Sequence, residues 1–293
     1  MKKLLFIINP MAGRQQAQTD LYKMVKIFAD HDYEVTVYPT RARLDCTRKV
    51  LEDAGRFDLV VCCGGDGTLN EMVSGMMQRQ DRRPMGYIPL GSTNDLAVSL
   101  RLPTRVEEAA LRAVTGNEFH MDVGTLNDRY FNYIAAFGAF TETSYATPQE
   151  IKNALGHLAY ILEGVKSLGK ILPIHVKITA DDEQFEEDYL FGAVTNTISQ
   201  GGVLKLDPEK VLLDDGMYEL LLVKNPTNAL EAQAMLTAIM TQNFDGPLVK
   251  MFHASDITFE SSHEISWTID GEYGGTFSHT HILNNKNAVT LIV

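Results

Sequence analysis

The sequence predicts an α/β first domain with a doubly wound parallel sheet, followed by a mainly β second domain of the sandwich type. Two observations predict this division. Over the first 120 residues or so, short apolar segments alternate with amphipathic helical segments, which is typical of parallel strands joined by crossover helices. After about residue 120 the alternation becomes strand-like. We therefore place the two domains at residues 1–122 and 123–287.

The first domain is expected to contain four strands and four helices. The strands are short segments that are continuously apolar or alternate between apolar and polar residues, at 4–8, 33–38, 59–63 and 85–90. In the first helical segment, Leu21, Met24, Val25 and Phe28 share one face. The expected helices cover residues 20–29, about 44–51, 69–77 and 106–114.

The second domain is expected to be built from strands, with two helices among them. Strand-like segments lie at residues 130–137, 174–179, 189–195, 217–223, 257–260 and 265–269. A long helix is predicted over about 151–168, because apolar residues recur there at helical spacing and lysines lie nearby. A second helix, rich in alanine and methionine, is predicted at 225–242.

Composition and charge exclude several classes of protein. The 293 residues are 45% hydrophobic and 22% charged, which is typical of a globular chain with an ample core. A net charge of −12 argues against nucleic-acid partners and gives no general attraction to an anionic membrane. No apolar run is long enough to span a membrane, so a cytoplasmic protein is expected. Three cysteines cannot form a disulfide framework, and we expect them in the core.

The most informative segment is the glycine loop Gly64-Gly65-Asp66-Gly67, which directly follows a buried strand and precedes a helix. Glycines leave the backbone open to a ligand, and a helix N-terminus suits phosphate. Asp66 would repel phosphate unless a cation such as Mg²⁺ lay between them. Together with Thr68 and Asn70, this carboxylate favours a nucleoside triphosphate loop over an ordinary tight turn.

Three further polar loops follow predicted strands in the same way. Asn9, Thr40 and Ser92 each lie just beyond a strand, as Gly65 does. Ligands of doubly wound domains bind at the carboxyl ends of the strands. The four loops together therefore predict a binding cleft along one edge of the sheet.

Three motifs of the first domain resemble the catalytic domain of diacylglycerol kinases, and the likeness is strongest to soluble bacterial lipid kinases of the diacylglycerol, sphingosine and YegS-like kind. They are Asn9-Pro10-x-Ala12-Gly13, the glycine loop through Thr68, and Gly91-Ser92-Thr93-Asn94-Asp95-Leu96-Ala97. Residues 196–202 and the acidic motifs at 214–217 and 270–272 continue the resemblance in the family's order. The Gly-Gly-Asp-Gly motif alone is less specific, because NAD kinases and phosphofructokinases carry it too.

The resemblance implies a two-domain enzyme, with an NAD kinase/phosphofructokinase-like first domain and ATP bound in the cleft between domains. It also implies that the last strand, 288–293, returns to the first domain. A structural Mg²⁺ is implied at the acidic motif at 214–217, held by the Asp215 carboxylate and the carbonyls of Leu212 and Met217. The nucleotide-binding residues that it implies are Asn9, Pro10, Met11, Ala12, Gly13, Thr40, Gly65, Asp66, Gly67, Thr68, Leu69, Asn70, Glu71 and Ser92.

Phosphoryl transfer to an alcohol also needs a base near the acceptor hydroxyl. Asp270 and Glu272 are the best candidates, because on an extended strand they would point the same way, and Gly271 would let the substrate approach closely. The resemblance favours Glu272 as the proton acceptor, with Asp270 as its alternative. The expected reaction is ATP-dependent phosphorylation of a lipid hydroxyl, with diacylglycerol giving phosphatidic acid as the first choice.

Other interpretations of the sequence remain open at this point. An NAD kinase-like phosphotransferase would use the same glycine loop, and a nucleotide-binding or lipid-binding module would need no base. Phosphatidylglycerol or a long-chain base could replace diacylglycerol as acceptor. For a lipid kinase we expect a cytoplasmic protein that meets the inner membrane face transiently, and a homodimer stays open. The expected partners are thus a lipid and a membrane surface, not a nucleic acid.

Overall fold

The computed structural model describes residues 1–138, 172–197, 199–200, 204–205 and 212–293. The helix expected at 151–168 and residues 198, 201 and 202 of the motif at 196–202 lie outside the described residues.

The first domain is built on four parallel strands in the order β4-β3-β1-β2. The strands are β1 (Lys2–Ile8), β2 (Tyr33–Pro39), β3 (Leu59–Gly64) and β4 (Met85–Pro89). The helices are α1 (Gln16–Thr19), α2 (Leu21–Asp30), α3 (Asp45–Asp53), α4 (Asp66–Met77), α5 (Asp95–Ser99) and α6 (Val106–Thr115). The first domain is thus the predicted alternation of strands and helices.

Helices cover both faces of this sheet, which confirms the doubly wound arrangement. On one face, residues of α2 and α6 pack on the sheet, and the Phe6 and Phe28 rings meet edge to face with centroids 5.2 Å apart. On the other face, residues of α3 and α4, such as Val50 and Met72, pack on alternate strand positions. The adjacent Cys62 and Cys63 enter opposite faces, so the cysteines are core residues as expected.

The second domain is mainly β, as predicted, and carries one described helix, α7 (Ala229–Thr241). Its strands are β5 (Glu118–Leu126), β6 (Arg129–Phe131), β7 (Ile134–Gly138), β8 (Ile174–Ala180), β9 (Glu183–Thr195), β10 (Ser199–Gln200), β11 (Leu204–Lys205), β12 (Tyr218–Lys224), β13 (Val249–Ala254), β14 (Asp256–Ile269) and β15 (Glu272–Ile292). A buried aromatic group of Phe137, Phe259 and Trp267 lies at the centre of its core.

The last strand, β15, links the two domains. It begins beside β14, pairs along much of its length with β5, and ends with Leu291 opposite Met85 of β4. The sequence predicts separate extended segments at 270–272 and 288–293, whereas β15 is continuous from Glu272 to Ile292. A single strand therefore connects the turn at residues 270–271 with the parallel sheet of the first domain.

Two predicted boundaries differ from the structure for identifiable reasons. The strand expected at 130–137 is interrupted after Phe131, because the N–H groups of Asn132, Tyr133 and Ile134 all donate to the carboxylate of Asp270. The helix expected from residue 69 already begins at Asp66, so the glycine loop contains the first turn of α4.

Candidate active site

The loops after β1, β2, β3 and β4 meet at the carboxyl edge of the parallel sheet, as their positions in the sequence predict. The N–H of Asn9 donates to the Cys63 carbonyl at 2.9 Å. The N–H of Thr40 donates to the Ile8 carbonyl at 2.9 Å, and that of Leu90 to the Gly64 carbonyl at 2.7 Å. These bonds tie each loop to the neighbouring strand end and form one continuous rim.

The backbones of the loops after β3 and β4 touch at two glycines. A Cβ placed on Gly91 would lie 2.7 Å from the Cα of Gly65, so neither position has room for a side chain. Gly65 caps α4, and Gly67 in the first turn is exposed. The first N–H groups of a helix have no partner within the helix. The N-terminus of α4 therefore presents donors and the positive end of a dipole to the rim.

Asp66, the first residue of α4, is an acid without a full set of partners. Its Oδ2 accepts the N–H of Asn94 at 2.9 Å, while its buried Oδ1 has no hydrogen-bond partner among the described residues. Burial, the nearby carboxylate of Asp95 and, to a smaller extent, that of Asp270 raise the pKa of Asp66 to about 6, although the Asn94 hydrogen bond opposes them. A cation at Oδ1 would satisfy this carboxylate.

We expect Asp66→Asn to abolish phosphoryl transfer and to stabilise the metal-free protein. The folded-state pKa of about 6 lies above the usual 3.8, so the charge of Asp66 destabilises the fold as pH rises from about 4 to about 6, and by a constant amount above that. Removing the charge should increase the free energy of unfolding by about 1–3 kcal/mol near pH 7. Denaturation with EDTA across this pH range measures the difference.

Asp20 provides the control with the opposite sign. Lys23 holds the pKa of the Asp20 carboxyl below its usual value by a hydrogen bond. Its charge therefore stabilises the fold above that value, and Asp20→Asn should destabilise the protein at pH 7. If Asp66→Asn is less stable than wild type, or if the difference does not change with pH, the Asp66 environment described above is wrong.

Several residues expected to bind nucleotide also fasten the loops to one another. The Asn9 amide donates to the Thr68 hydroxyl at 3.3 Å and accepts the N–H of Met11 at 3.0 Å. Gly13 has φ +60°, where a side chain would be strained. These contacts hold the segment that includes Pro10 and Ala12 against the first turn of α4. Thr40 and Ser92 lie on the same rim, and Ser92 is exposed.

Leu69, Asn70 and Glu71 of α4 contact the core or neighbouring loops. Leu69 is buried in the core, and its N–H donates to the Gly65 carbonyl. The Asn70 amide donates to Asp270 at 2.8 Å. The Glu71 carboxylate accepts the N–H groups of Leu44 and Cys46, and burial raises its pKa. These side chains hold neighbouring loops in place, and the prediction that they contact nucleotide is untested.

Asp270 and Glu272 do not point the same way, which corrects the expectation for an extended strand. Asp270 (φ 47°) and Gly271 (φ 81°) form a left-handed turn between β14 and β15. Asp270 points inward and is only 7% exposed. Its carboxylate accepts the N–H groups of residues 132–134 and the Asn70 amide, so four donors saturate it. Burial raises its pKa to about 6.

Glu272, in contrast, points into the cleft. Its side chain is 55% exposed, and its Oε1 lies 3.3 Å from the position of a Cβ on Gly67. Its Oε2 is 2.5 Å from Nη2 of Arg43, in the loop between β2 and α3. The Glu272 carboxylate therefore lies over the N-terminus of α4, where a phosphate would bind.

Three residues beside this site were not among the predicted site residues. Asn94 holds the turn after β4, accepting the Gly91 N–H at 2.9 Å and donating to the Gly91 carbonyl at 2.9 Å. Asp95 is 2% exposed and close enough to raise the pKa of Asp66. The motif that contains both was visible in the sequence, but its contact with Asp66 was not. No sequence signal distinguishes Arg43 from other surface arginines.

The acidic motif at 214–217, predicted to hold Mg²⁺, forms a compact turn that offers oxygen ligands. Asp215 Oδ1 accepts the N–H of Met217 at 2.8 Å, and the Met217 carbonyl accepts the Asn284 amide at 3.2 Å. Nζ of Lys286 donates to the Asp215 carbonyl at 3.0 Å, so one cation already lies beside the turn. The remaining carboxylate oxygen and the carbonyls of Leu212 and Met217 are hard ligands of the type that Mg²⁺ prefers.

If Mg²⁺ binds at this turn, wild type should melt at a higher temperature with Mg²⁺ than with EDTA, because a ligand that binds only the folded state stabilises it. Asp215→Ala should lose this difference, and Asp214→Ala, which changes the neighbouring exposed acid, should retain it. Thermal melts of the three proteins with Mg²⁺ and with EDTA test the site without any activity assay. An equal Mg²⁺ response in wild type and Asp215→Ala would rule out the predicted site.

Two properties of the described residues concern metal binding and the membrane. The described part contains no group of three or more His, Cys, Asp or Glu side chains arranged to hold a metal ion. A cation near Asp66 would therefore also need phosphate, carbonyl or water oxygens, which is the usual situation of Mg²⁺ in kinases. The helices that the structure describes are each too short or too polar to span a bilayer.

Comparison with known proteins agrees with this geometry. Residues 3–126 match the family described as diacylglycerol kinase catalytic domain, and residues 140–292 match the YegS C-terminal NAD kinase beta sandwich-like domain. A diacylglycerol kinase from Bacillus subtilis (strain 168) is 33% identical over 98% of this chain and 97% of its own length. One from Staphylococcus saprophyticus is 31% identical over 94% of this chain and 90% of its own.

Solved structures show the same architecture. A structure from Bacillus anthracis str. Sterne superposes with a TM-score of 0.83 at 27% identity, covering 99% of this chain and 95% of that one. A diacylglycerol kinase from the same strain has a TM-score of 0.77 at 24% identity and shows the shared fold.

The fold and the site therefore define a two-domain lipid kinase, in which an α/β domain with a glycine loop is joined to a mainly β domain. The chain belongs to the diacylglycerol kinase family, as its motifs predict.

Proposed function

We propose that this lipid kinase transfers the γ-phosphoryl group of ATP to the free hydroxyl of diacylglycerol, giving phosphatidic acid. One observation carries the proposal: the Glu272 carboxylate lies over Gly67 at the N-terminus of α4. A site that can bind phosphate and a half-exposed carboxylate base thus lie side by side in one cleft. Phosphoryl transfer to an alcohol requires both groups close together.

The chain's own residues account for binding and proton transfer. The N-terminus of α4 and the glycine backbone bind the phosphates, and the rim loops at 9–13 and 91–94 enclose them. The lipid oxygen forms a bond to the γ-phosphorus as the bond to the β,γ-bridging oxygen breaks, and that electron pair leaves on ADP. The hydroxyl proton passes to Glu272. Asp270 holds the turn that positions Glu272.

Mg²⁺ is the cofactor that we propose, and Asp66 is the residue that would hold it together with the nucleotide. The unpartnered, buried Oδ1 of Asp66 supports this assignment. When bound, the ion neutralises charge on the phosphates during transfer. A second, structural Mg²⁺ is proposed at Asp215, Leu212 and Met217. The thermal melts of the Asp215→Ala and Asp214→Ala variants test it.

Access to diacylglycerol requires contact with a membrane. We propose that the chain binds the inner membrane face transiently from the cytoplasm, with the amphipathic helix predicted at 151–168 and the lysines nearby as the contact, and that it forms a homodimer. The net charge of −12 makes such a local patch necessary. Pelleting with anionic vesicles and sedimentation test these two statements separately.

The acceptor is tested by incubating the enzyme with γ-labelled ATP, Mg²⁺ and a panel of acceptors in mixed micelles. The panel contains diacylglycerol, phosphatidylglycerol, a long-chain base and NAD. We expect the label in phosphatidic acid, at a rate at least tenfold above that of any other product. Label in another lipid would keep the lipid kinase and change its substrate, whereas label in NADP would contradict the proposal.

A further inference from the structure

Arg43, in the loop between β2 and α3, forms an ion pair across the cleft. The proposed phosphoryl transfer gives this ion pair no role. Its guanidinium lies 2.5 Å from Glu272, which is 229 positions away in the chain. Arg43 is 72% exposed and Glu272 is 55% exposed. The pair connects a rim loop of the first domain to the proposed base, beside the N-terminus of α4.

The loop that carries Arg43 is fixed to the phosphate-binding helix. The Glu71 carboxylate of α4 accepts the N–H of Leu44 at 2.8 Å and that of Cys46 at 3.2 Å. The Thr47 hydroxyl donates to the Glu71 carbonyl at 2.8 Å. Leu44 has φ 65°, which turns the chain sharply at this point. These bonds hold the backbone beside Arg43. The exposed side chain of Arg43 can therefore move while its Cα remains near α4.

The resting ion pair conflicts with the role of Glu272 as a base. The Arg43 guanidinium occupies Oε2 of Glu272, one of the two oxygens that would accept the lipid proton. A nucleotide γ-phosphate at the N-terminus of α4 would offer Arg43 a more highly charged partner, in the planar two-oxygen geometry that a guanidinium prefers. Movement of Arg43 from Glu272 to that phosphate would remove the conflict.

We propose that Arg43 binds the phosphoryl group that is transferred, and that its ion pair with Glu272 is the resting arrangement that it leaves when nucleotide binds. The inference rests on the proposed function, because it takes the N-terminus of α4 as the triphosphate site. Arg43 then stabilises charge on the phosphoryl oxygens, and the same movement leaves Glu272 free to accept the hydroxyl proton.

Binding of a non-hydrolysable β,γ-methylene ATP analogue and of ADP, measured by calorimetry without lipid, tests the inference. ADP lacks the group that Arg43 contacts. Arg43→Ala should weaken binding of the analogue about ten- to a hundredfold and change ADP binding less than twofold. Arg43→Lys should restore part of the lost affinity for the analogue, because lysine keeps the positive charge but lacks the planar guanidinium that can bond two oxygens.

Glu272→Gln adds a result of opposite sign. It removes the resting partner of Arg43, so it should strengthen binding of the analogue, and this gain should disappear when Arg43→Ala is added. Arg105 is the matched control: it is 75% exposed and pairs with Glu108, which is 55% exposed, at the start of α6, on the sheet face opposite to α3 and α4. Arg105→Ala should change neither affinity.

The possible outcomes separate this inference from the proposed function. If Arg43→Ala weakens ADP and the analogue equally, or weakens neither, the inference is wrong even though wild type phosphorylates diacylglycerol. If wild type binds neither nucleotide and labels no lipid, the proposed function fails, and the inference fails with it.

Discussion

Glu272→Gln is expected to lower the turnover of lipid phosphorylation by about 10²–10⁴-fold while leaving the protein folded. The amide keeps the size of the side chain but cannot take the hydroxyl proton. Because Glu272 is 55% exposed and its described polar contact is the ion pair with Arg43, the fold does not depend on its charge. Initial rates at saturating ATP and lipid, with a melting curve of each protein, measure both effects.

Glu260→Gln is the matched control for this substitution. Glu260 is 50% exposed and pairs with Lys177 at 3.5 Å, so it resembles Glu272 in exposure and in having a cationic partner. It lies on β14, far along the strand from the turn at 270–271. Glu260→Gln should keep full turnover. Normal turnover in Glu272→Gln would show that another group takes the proton.

Asp270→Asn should mainly reduce stability, with a loss of about 2–4 kcal/mol in the free energy of unfolding, because the donors left unsatisfied outweigh the gain from removing a buried charge. Both carboxylate oxygens accept two hydrogen bonds each, from residues 132–134 and Asn70. An amide has one oxygen, so its NH₂ group would face two donors and leave them unsatisfied. Asparagine tolerates the left-handed backbone at φ 47°, so the substitution tests the hydrogen bonds rather than the turn. Urea denaturation measures the loss.

Asp256→Asn, at the other end of β14, should change stability little, because that carboxylate is 52% exposed and bonded only to His281 in the described contacts of its side chain. If Asp270→Asn were as stable as wild type but inactive, Asp270 would be acting in the chemistry. The assignment of Asp270 as a positioning residue would then be wrong.

Much of the first domain could be predicted from the sequence, because its signals are local. Buried parallel strands appear as short apolar runs, and the segment after each run is polar, as at Asn9 and Ser92. The start of α4 was placed three residues too late, because glycines in its first turn do not resemble a helix. The edge on which these loops meet follows from the parallel topology alone.

The second domain and the base depended on contacts between distant residues. The break after Phe131 is caused by Asp270, almost 140 positions away. The pair Asp270 and Glu272 was expected on one face of a strand, although Asp-Gly is a common turn dipeptide, and the turn sends the two side chains in different directions. Arg43 has no local feature that indicates its partner, because its ion pair exists only after both domains have folded.

The central claim is that nucleotide binds at the carboxyl edge of the parallel sheet, with its terminal phosphate at the N-terminus of α4 and facing Glu272. A crystal structure with Mg²⁺ and the β,γ-methylene analogue of ATP tests it most directly. We expect the triphosphate between the glycine loop and the rim loops at 9–13 and 91–94, with the γ-phosphate beside Gly67. A nucleotide bound elsewhere, or with its γ-phosphate pointing away from Glu272, would contradict this account.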